Sequence, residues 1–477
     1  MLRYDVLVIG SGAGGAPLAT LLAEHGRKVL VVEAGGPVTP ASAADALDRH
    51  DLLGGMTLAS GNGAFVSVLA GEALGGTTAI NSGTSLRPPP EVLGDWDARA
   101  GTHLAAELPE HVAQVEKDVS VTVPPLELLG PSHHLFLRGG QSLDVGEPFI
   151  LPRSAKGCVG SGMCCFGCPT GAKQSTDRAY LPRAERAGAE IVGRTRAEAI
   201  VPEKGGVRVT LSTSEGRRDV RAREVVIAGG ALSTPRLLRG SKLGREWRRA
   251  GDELTIHPAT KVVAVFPEAV HGERGVPQGM GLAVKGRPDL TLEGIFTPPE
   301  ALIPLLTGGG VDLRWWLDRH DRLASFGMMV RDESRGTVRW RLGMPIMRYA
   351  LTSGDAANLV EGMKIIGRAY LRAGAERVFL PFMGPGNVFE NELSLARLDA
   401  RSVASRRVLA TGFHPLGTAG LGRVVDHELR LIGEPRIRVC DGSVLPGPPG
   451  VNPQITIMAM AHRLAAQMIG ETRRVRG

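Results

Sequence analysis

Residues 4–36 read YDVLVIGSGAGGAPLATLLAEHGRKVLVVEAGG, and this stretch constrains the fold more than any other. Asp5-Val6-Leu7-Val8-Ile9 is a short apolar run of the kind that forms a buried parallel strand. Gly10, Gly12 and Gly15 then give G-x-G-x-x-G, with Gly14 as an extra glycine. The first glycine permits a tight turn, the second lets the backbone approach a pyrophosphate, and the third lets a helix lie close to the strand. A helix is predicted over 16–25, its N-terminal amides and dipole facing the phosphates. Val29-Leu30-Val31-Val32 is a second strand. It ends in Glu33, at the spacing that lets a carboxylate bind ribose hydroxyls. Strand, glycine turn, helix, strand and acid in this order predict a dinucleotide-binding α/β domain.

That domain is expected to be discontinuous. Residues 73–81, ALGGTTAIN, carry Gly75, Gly76, Thr77, Thr78 and Asn81, whose backbone and hydroxyls suit a phosphate or a ring edge. Residues 224–231 form another apolar run, leading into a helix through Thr234-Pro235. Ile437-Arg438-Val439-Cys440-Asp441 is a further one, ending in an acid. Residues 86–150 and 265–400 differ in character. The first is rich in Pro, His and charge. The second alternates apolar and polar residues around Thr337–Leu342, which suits a half-exposed antiparallel sheet, and shows helical spacing over 355–373. These stretches are expected to form a substrate domain (86–150 and 265–400) set into a cofactor domain (1–85, 151–264 and 401–477).

A chain of 477 residues is long enough for two such cores. Its net charge of +7 is spread out, apart from the terminal ETRRVRG, and argues against nucleic-acid binding. No apolar run reaches the ~18 residues of a membrane span. The first strand starts at residue 4, which leaves no room for a signal peptide and predicts a cytoplasmic protein that is not integral to a membrane.

Near the C-terminal end, Gly412-Phe413-His414-Pro415 and Gly450-Val451-Asn452-Pro453 carry the chemistry. A neutral imidazole at His414 can take a proton near pH 7. Asn452 is a good N-cap and Pro453 a good first helical residue for a helix over 455–469. The positive end of that helix would face an electron-rich group, such as the pyrimidine edge of a reduced flavin. His257-Pro258 reads as a structural strand end. Trp315-Trp316 and Phe296-Thr297-Pro298-Pro299 suit either a pocket wall or the core.

With the motifs at 4–36, 74–81, 229–244 and 411–469 in this order, the chain resembles the glucose–methanol–choline (GMC) oxidoreductases, a family of FAD enzymes. The resemblance implies an α/β fold: a Rossmann-like FAD-binding domain with an inserted α+β substrate domain. It implies that His414 is the catalytic base or acid and that Asn452 is its partner. It also implies that Asp441 and Gly442 lie at the phosphate–ribityl side of the flavin. The expected reaction is oxidation of a CH–OH group in a small-molecule alcohol. The expected enzyme is a dehydrogenase: the proton passes to His414, hydride passes to the flavin, and electrons then go to an external protein or quinone acceptor, through an iron–sulfur cluster where one is bound, while oxygen is the acceptor of the alternative. An alcohol or sterol oxidase with structural cysteines is the alternative. Aromatic content of 4% favours an apolar alcohol over a sugar that needs stacking platforms.

Four of the five cysteines fall between Cys158 and Cys168. Such density in a cytoplasmic protein points to metal or redox use more than to disulfides. The C-x5-C-x3-C spacing of Cys158, Cys164 and Cys168, followed by Pro169, resembles the [3Fe–4S] segment of sugar dehydrogenase catalytic subunits. It predicts an iron–sulfur cluster, with Cys165 as an extra thiol and reduced, structural cysteines as the other reading.

Overall fold

The computed structural model describes residues 3–38, 57–61, 64–296 and 313–476. The apolar run at the start becomes the strand Tyr4–Ile9, at the centre of a sheet ordered Arg430–Leu431, Glu434–Val439, Gly216–Ile227, Tyr4–Ile9, Val29–Val32, Glu190–Val192. All neighbours from Glu434–Val439 onward are parallel, with Val6 opposite Val29 on one side and Glu224 on the other. A central parallel strand is covered on both faces, which explains why Val6, Leu7 and Val8 are all apolar and fully buried. The helices Gly15–Glu24 and Gln454–Arg476 pack against each other beside this sheet. The two ends of the chain therefore share one core.

A second sheet is largely antiparallel and ten-stranded. Its path runs Thr57–Gly61, Ala64–Val68, Ala410–Gly412, Pro258–Val265, Leu323–Val330, Leu290–Glu293, Met280–Ala283, Pro148–Ile150. The helix Ser353–Arg372 covers it, capped by Thr352, whose hydroxyl accepts from Asp355 N at 3.0 Å. Its small residues let the helix Pro131–Gly140 come very close: a Cβ on Gly139 would lie 1.7 Å from Ala369 O. The alternating run near 337 is the strand Gly336–Arg341 of a separate three-stranded sheet.

Two placements differ from the predicted division. The helices Pro90–Ala100 and Leu104–Asp118 bury Val92, Leu93, Trp96, Leu104 and Leu108 in the parallel-sheet core, and the second of them packs on Gln454–Arg476. Conversely, Ala64–Val68, Pro258–Val265 and Ala410–Gly412 are strands of the antiparallel sheet. Amphipathic spacing shows that an element buries one face, not which core receives it. No helix among the described residues is long and apolar enough to cross a membrane.

Candidate functional site

The glycine turn is packed at three positions and open at one. A Cβ on Gly10 would lie 2.2 Å from Ala228 O, on Gly14 1.7 Å from Cys440 O, and on Gly15 1.9 Å from Gly10 O. On Gly12 it would meet nothing nearer than Gly75 O and Gly76 Cα, both at 3.9 Å. The bare backbone of Gly12 thus faces the bare backbone of Gly75-Gly76 across a narrow gap. Both of those glycines have positive φ, +92° and +53°.

One buried network holds the walls of this gap. Glu33 Oε2 accepts from Ser11 N at 2.9 Å and Ser11 Oγ at 2.8 Å, and Oε1 accepts from Gly35 N at 3.0 Å. Burial pushes the Glu33 carboxyl above the usual range, against the pull of these bonds. Gly75 N donates to Ser11 Oγ at 3.0 Å, and Thr78 Oγ1 donates to Gly75 O at 2.6 Å. Thr77 Oγ1 accepts from Gly71 N at 3.1 Å. Asn81 Nδ2 donates to Gln454 Oε1 at 2.6 Å, tying the 74–81 loop to the first residue of the last helix.

Asp441 lies across the sheet ends from Glu33. Its Oδ2 accepts from Gly230 N at 2.8 Å and Thr234 Oγ1 at 2.6 Å, and its Oδ1 accepts from Ser443 N at 2.8 Å. Gly442 leaves no space for a side chain, since a Cβ there would sit 2.9 Å from Leu416 Cδ2. Ser443 Oγ, Asn452 Oδ1 and Thr456 Oγ1 are buried with no hydrogen-bond partner. Buried polar groups are rarely left so, and three along one segment fit a large polar cofactor. The open Gly12 wall, the Glu33 carboxylate and these orphan groups together fit a dinucleotide such as FAD.

The second half of the site stands where the two sheets meet. His414 follows the strand Ala410–Gly412, and its N–H donates to Ile256 O at 3.2 Å. Its Nδ1 lies 3.1 Å from Nδ1 of His257, the rings edge-to-face at 88°. His257 is fully buried, with a strained φ of +47°. Asp332 holds that backbone in place. Its Oδ2 accepts from Ile256 N at 3.1 Å and its Oδ1 from His257 N at 3.2 Å, while Tyr349 OH donates to Oδ2 at 2.6 Å. His257 Nε2 in turn accepts from Gly450 N at 3.0 Å. Burial lowers His414 to about 4. Burial, then His414 and Arg331, hold His257 well below the usual range. Both rings are therefore neutral at pH 7.

Asn452 lies two residues beyond Gly450, before Pro453 and the helix Gln454–Arg476. It was expected to cap that helix, but its Oδ1 has no partner, and its Nδ2 donates to Glu293 Oε2 at 3.3 Å. Glu293 ends the strand Leu290–Glu293 of the antiparallel sheet. Gln278 Nε2 also donates to its Oε2, at 2.5 Å, while Oε1 is buried without a partner. Burial raises this carboxyl to about 7. Glu293 was not singled out from the sequence, and neither was a site role for His257. Glu293 ends an ordinary strand and His257 sits in the short link before Pro258–Val265, so each enters the site only through the pairing of the sheet.

Cys158, Cys164 and Cys168 do not assemble a ligand set. Among the described residues no group of three or more His, Cys, Asp or Glu is placed to hold a metal ion. Cys164 Sγ accepts from Arg153 Nη2 at 2.9 Å, Cys168 Sγ accepts from Lys173 N at 3.4 Å, and Cys158 is half-buried. Lys173 is itself buried and donates to Ala79 O, Asn81 O and Cys164 O at 2.7–2.8 Å. The cysteine loop thus braces the 74–81 loop. The residues as placed do not fit a [3Fe–4S] cluster, because the three sulfurs are not brought together as one ligand set. Trp316 is core, packed edge-on at 6.1 Å against Phe379, with Phe296 in the same cluster. Thr297, Pro298 and Pro299 lie outside the described residues.

Known proteins resemble this chain in sequence and in fold. An uncharacterised GMC-type oxidoreductase of Mycobacterium tuberculosis is 37% identical over 490 residues, spanning 99% of this chain and 77% of the relative. A long-chain-alcohol oxidase of Arabidopsis thaliana is 27% identical, spanning 98% of this chain and 68% of the relative. Among solved structures, pyridoxine 4-oxidase from Mesorbium loti superposes with a TM-score of 0.76 at 17% identity, covering 98% of this chain and 99% of that one. Formate oxidase gives 0.75 at 15% identity, over 99% of both chains. These likenesses confirm the predicted fold class. The family profiles described as GMC oxidoreductase match residues 4–259 and 332–461, and the chain belongs to that family.

Proposed function

We propose that this enzyme is an FAD-dependent oxidase of apolar alcohols, with His414 and Asn452 meeting the substrate oxygen. The observation that carries the reading is the junction itself. There, neutral His414, only partly covered, is linked through His257 to Gly450, two residues before Asn452 with its unpartnered amide oxygen, and Gln454 just beyond accepts from Asn81 of the 74–81 loop. Bound FAD would supply the hydride acceptor. Gly12, Gly75, Gly76, Glu33, Asp441 and the start of the last helix would hold it. His414 and Asn452 would orient the hydroxyl, so that the carbon-bound hydrogen points at the acceptor.

Oxygen as final acceptor, rather than a protein or quinone, is supported by two things. Relatives spanning nearly the whole chain bear the name long-chain-alcohol oxidase, and a cholesterol oxidase of Acinetobacter baumannii matches 59% of it. The dehydrogenase reading drew its strength from a cluster relaying single electrons, and no step is assigned through the cysteine loop as placed. An aliphatic alcohol agrees with those relatives and with the few aromatic residues. The test is anaerobic mixing of the yellow holoenzyme with dodecanol. Bleaching of the flavin, and peroxide formation when air is readmitted, are expected. Bleaching without peroxide, with rapid turnover on a quinone dye, would favour the dehydrogenase.

A further inference from the structure

The three-stranded sheet ends in a hairpin whose turn breaks the usual rule. Its strands Gly336–Arg341 and Met344–Arg348 are joined by Leu342-Gly343. Both turn residues have positive φ, +50° and +77°. Such a turn calls for Asn, Asp or Gly before the glycine, because a bulky side chain is strained there. This chain has a leucine, and it is 97% exposed. Met344 is 64% exposed and Ile346 is 42% exposed. Strain and exposure both count against the folded state, so Leu342 does not stand there for stability.

Pairing sorts the hairpin into two faces. Val338 and Met347 are opposite each other and buried, and Trp340 on the same face donates from Nε1 to Leu232 O at 2.7 Å. The other face pairs Arg341 with Met344, Arg339 with Ile346 and Thr337 with Arg348. Neither strand carries an acidic residue. Arg339 has Asp252 as its partner, while Arg341 and Arg348 have no ion pair among the described residues. Burial, then the nearby charges of Arg339 and Arg248, hold Arg239 below its usual range at the foot of the sheet. The face is therefore an apolar tip set in uncompensated positive charge.

We propose that this hairpin docks the protein on an anionic lipid surface, with Leu342, Met344 and Ile346 entering the headgroup layer and Arg341 and Arg348 meeting lipid phosphates. A lipid layer closes round a lone protruding leucine, whereas a protein partner must supply a fitted pocket. Arginine stems can lie along the apolar residues while their heads stay at the charged layer. The sheet also continues into the candidate site. Asp252–Leu254 leads through Thr255 and Ile256 to His257, and Met344–Arg348 leads to Tyr349, which donates to Asp332. Docking by the tip would bring that site towards the layer where long apolar alcohols concentrate, a link that rests on the proposed alcohol reading.

Cosedimentation of the holoenzyme with vesicles tests this without turnover. Binding is expected to vesicles of equal parts phosphatidylcholine and phosphatidylglycerol, to weaken with added salt, and to be slight on phosphatidylcholine alone. Leu342→Asn gives the turn a preferred residue. Its melting temperature should hold or rise while vesicle binding falls about 10-fold or more. Arg341→Gln and Arg348→Gln should each weaken binding about 5-fold and together reduce the preference for anionic lipid. No binding to the anionic vesicles, or wild-type binding by Leu342→Asn, overturns the proposal. So does a dimer in sedimentation velocity that Leu342→Asn abolishes without any vesicle binding, which would assign the tip to a second copy of the chain. Failure of alcohol-driven bleaching leaves the vesicle result standing, and failure of cosedimentation leaves the proposed reaction untouched.

Discussion

Asn452 Nδ2 donates to Glu293 Oε2 at 3.3 Å, joining the segment that opens the last helix to the end of a strand in the antiparallel sheet. The bond crosses to the antiparallel sheet, so each side fixes the position of a buried polar group of the other. Asn452→Ala should leave Glu293 with Gln278 alone and loosen this registry. Flavin content is expected to persist, with alcohol-driven bleaching slowed by about 10-fold or more. Stopped-flow absorbance on the holoenzyme checks this, and an unchanged rate would remove Asn452 from the site.

On the proposed reading, His414→Ala removes a polar group that meets the substrate oxygen. Loss of such a group typically costs about 10²–10³-fold in the chemical step. The variant should still purify yellow, because no bond to His414 holds the glycine-walled gap. Bleaching at the wild-type rate by every alcohol that the wild type accepts would refute the assignment.

The glycines predict two different failures. Gly12→Val places its side chain in the open gap, so the protein should fold and purify colourless, with near-normal thermal stability for an apoprotein. Gly14→Ala forces a methyl to 1.7 Å from Cys440 O, and packing strain of about 1–3 kcal/mol or more is expected. Circular dichroism melts and flavin absorbance separate the two. A yellow Gly12→Val would show that the dinucleotide runs elsewhere.

Glu293 should also shape stability against pH. Its carboxyl is raised from an ordinary 4.5 to about 7, so the folded protein holds this proton more tightly than the unfolded chain does. The associated stability is complete below the unfolded value and is lost as pH rises through the folded one, to the extent of roughly 3 kcal/mol. Asp332, raised to about 6, acts in the same direction. His257 and His414, both lowered by burial, act in the opposite direction below about pH 6.5, so the test is the difference: Glu293→Gln stays neutral, and its melting temperature should gain on the wild type as pH rises from about 5 to 8. A slope as steep as that of the wild type would mean that Glu293 contributes no proton linkage.

Iron and acid-labile sulfide in protein purified without oxygen are expected to be below stoichiometric, because Cys158, Cys164 and Cys168 are not gathered as one ligand set. Stoichiometric iron that vanishes in Cys164→Ser would show that the loop rearranges around a cluster.

The parts of this molecule that were legible in the sequence are those made by neighbours along the chain. Gly10 to Glu33 announces itself because turn, helix and acid lie within one βαβ unit. The helix after Pro453 was legible for the same reason. Glu293 and His257 were not, because a strand end and a short link between two strands carry no signal of their own. Their chemistry arises from the pairing of Leu290–Glu293 and Pro258–Val265 with Leu323–Val330 between them. Asn452 was read as a cap from its neighbour Pro453, but a distant carboxylate claims its amide. Spacing brought the cysteines together in sequence, while Arg153 and Lys173, which engage two of their sulfurs, lie outside that spacing.

The parallel pairing of Tyr4–Ile9 with Gly216–Ile227, and of that strand with Glu434–Val439, has a consequence for synthesis. A ribosome makes Asp441, Ser443 and Thr456 more than 400 residues after the glycine turn and Glu33. Until they follow, the nascent protein must keep the buried, largely apolar Tyr4–Ile9 strand from pairing wrongly. On the proposed reading, a cofactor that arrives before them meets only part of its site.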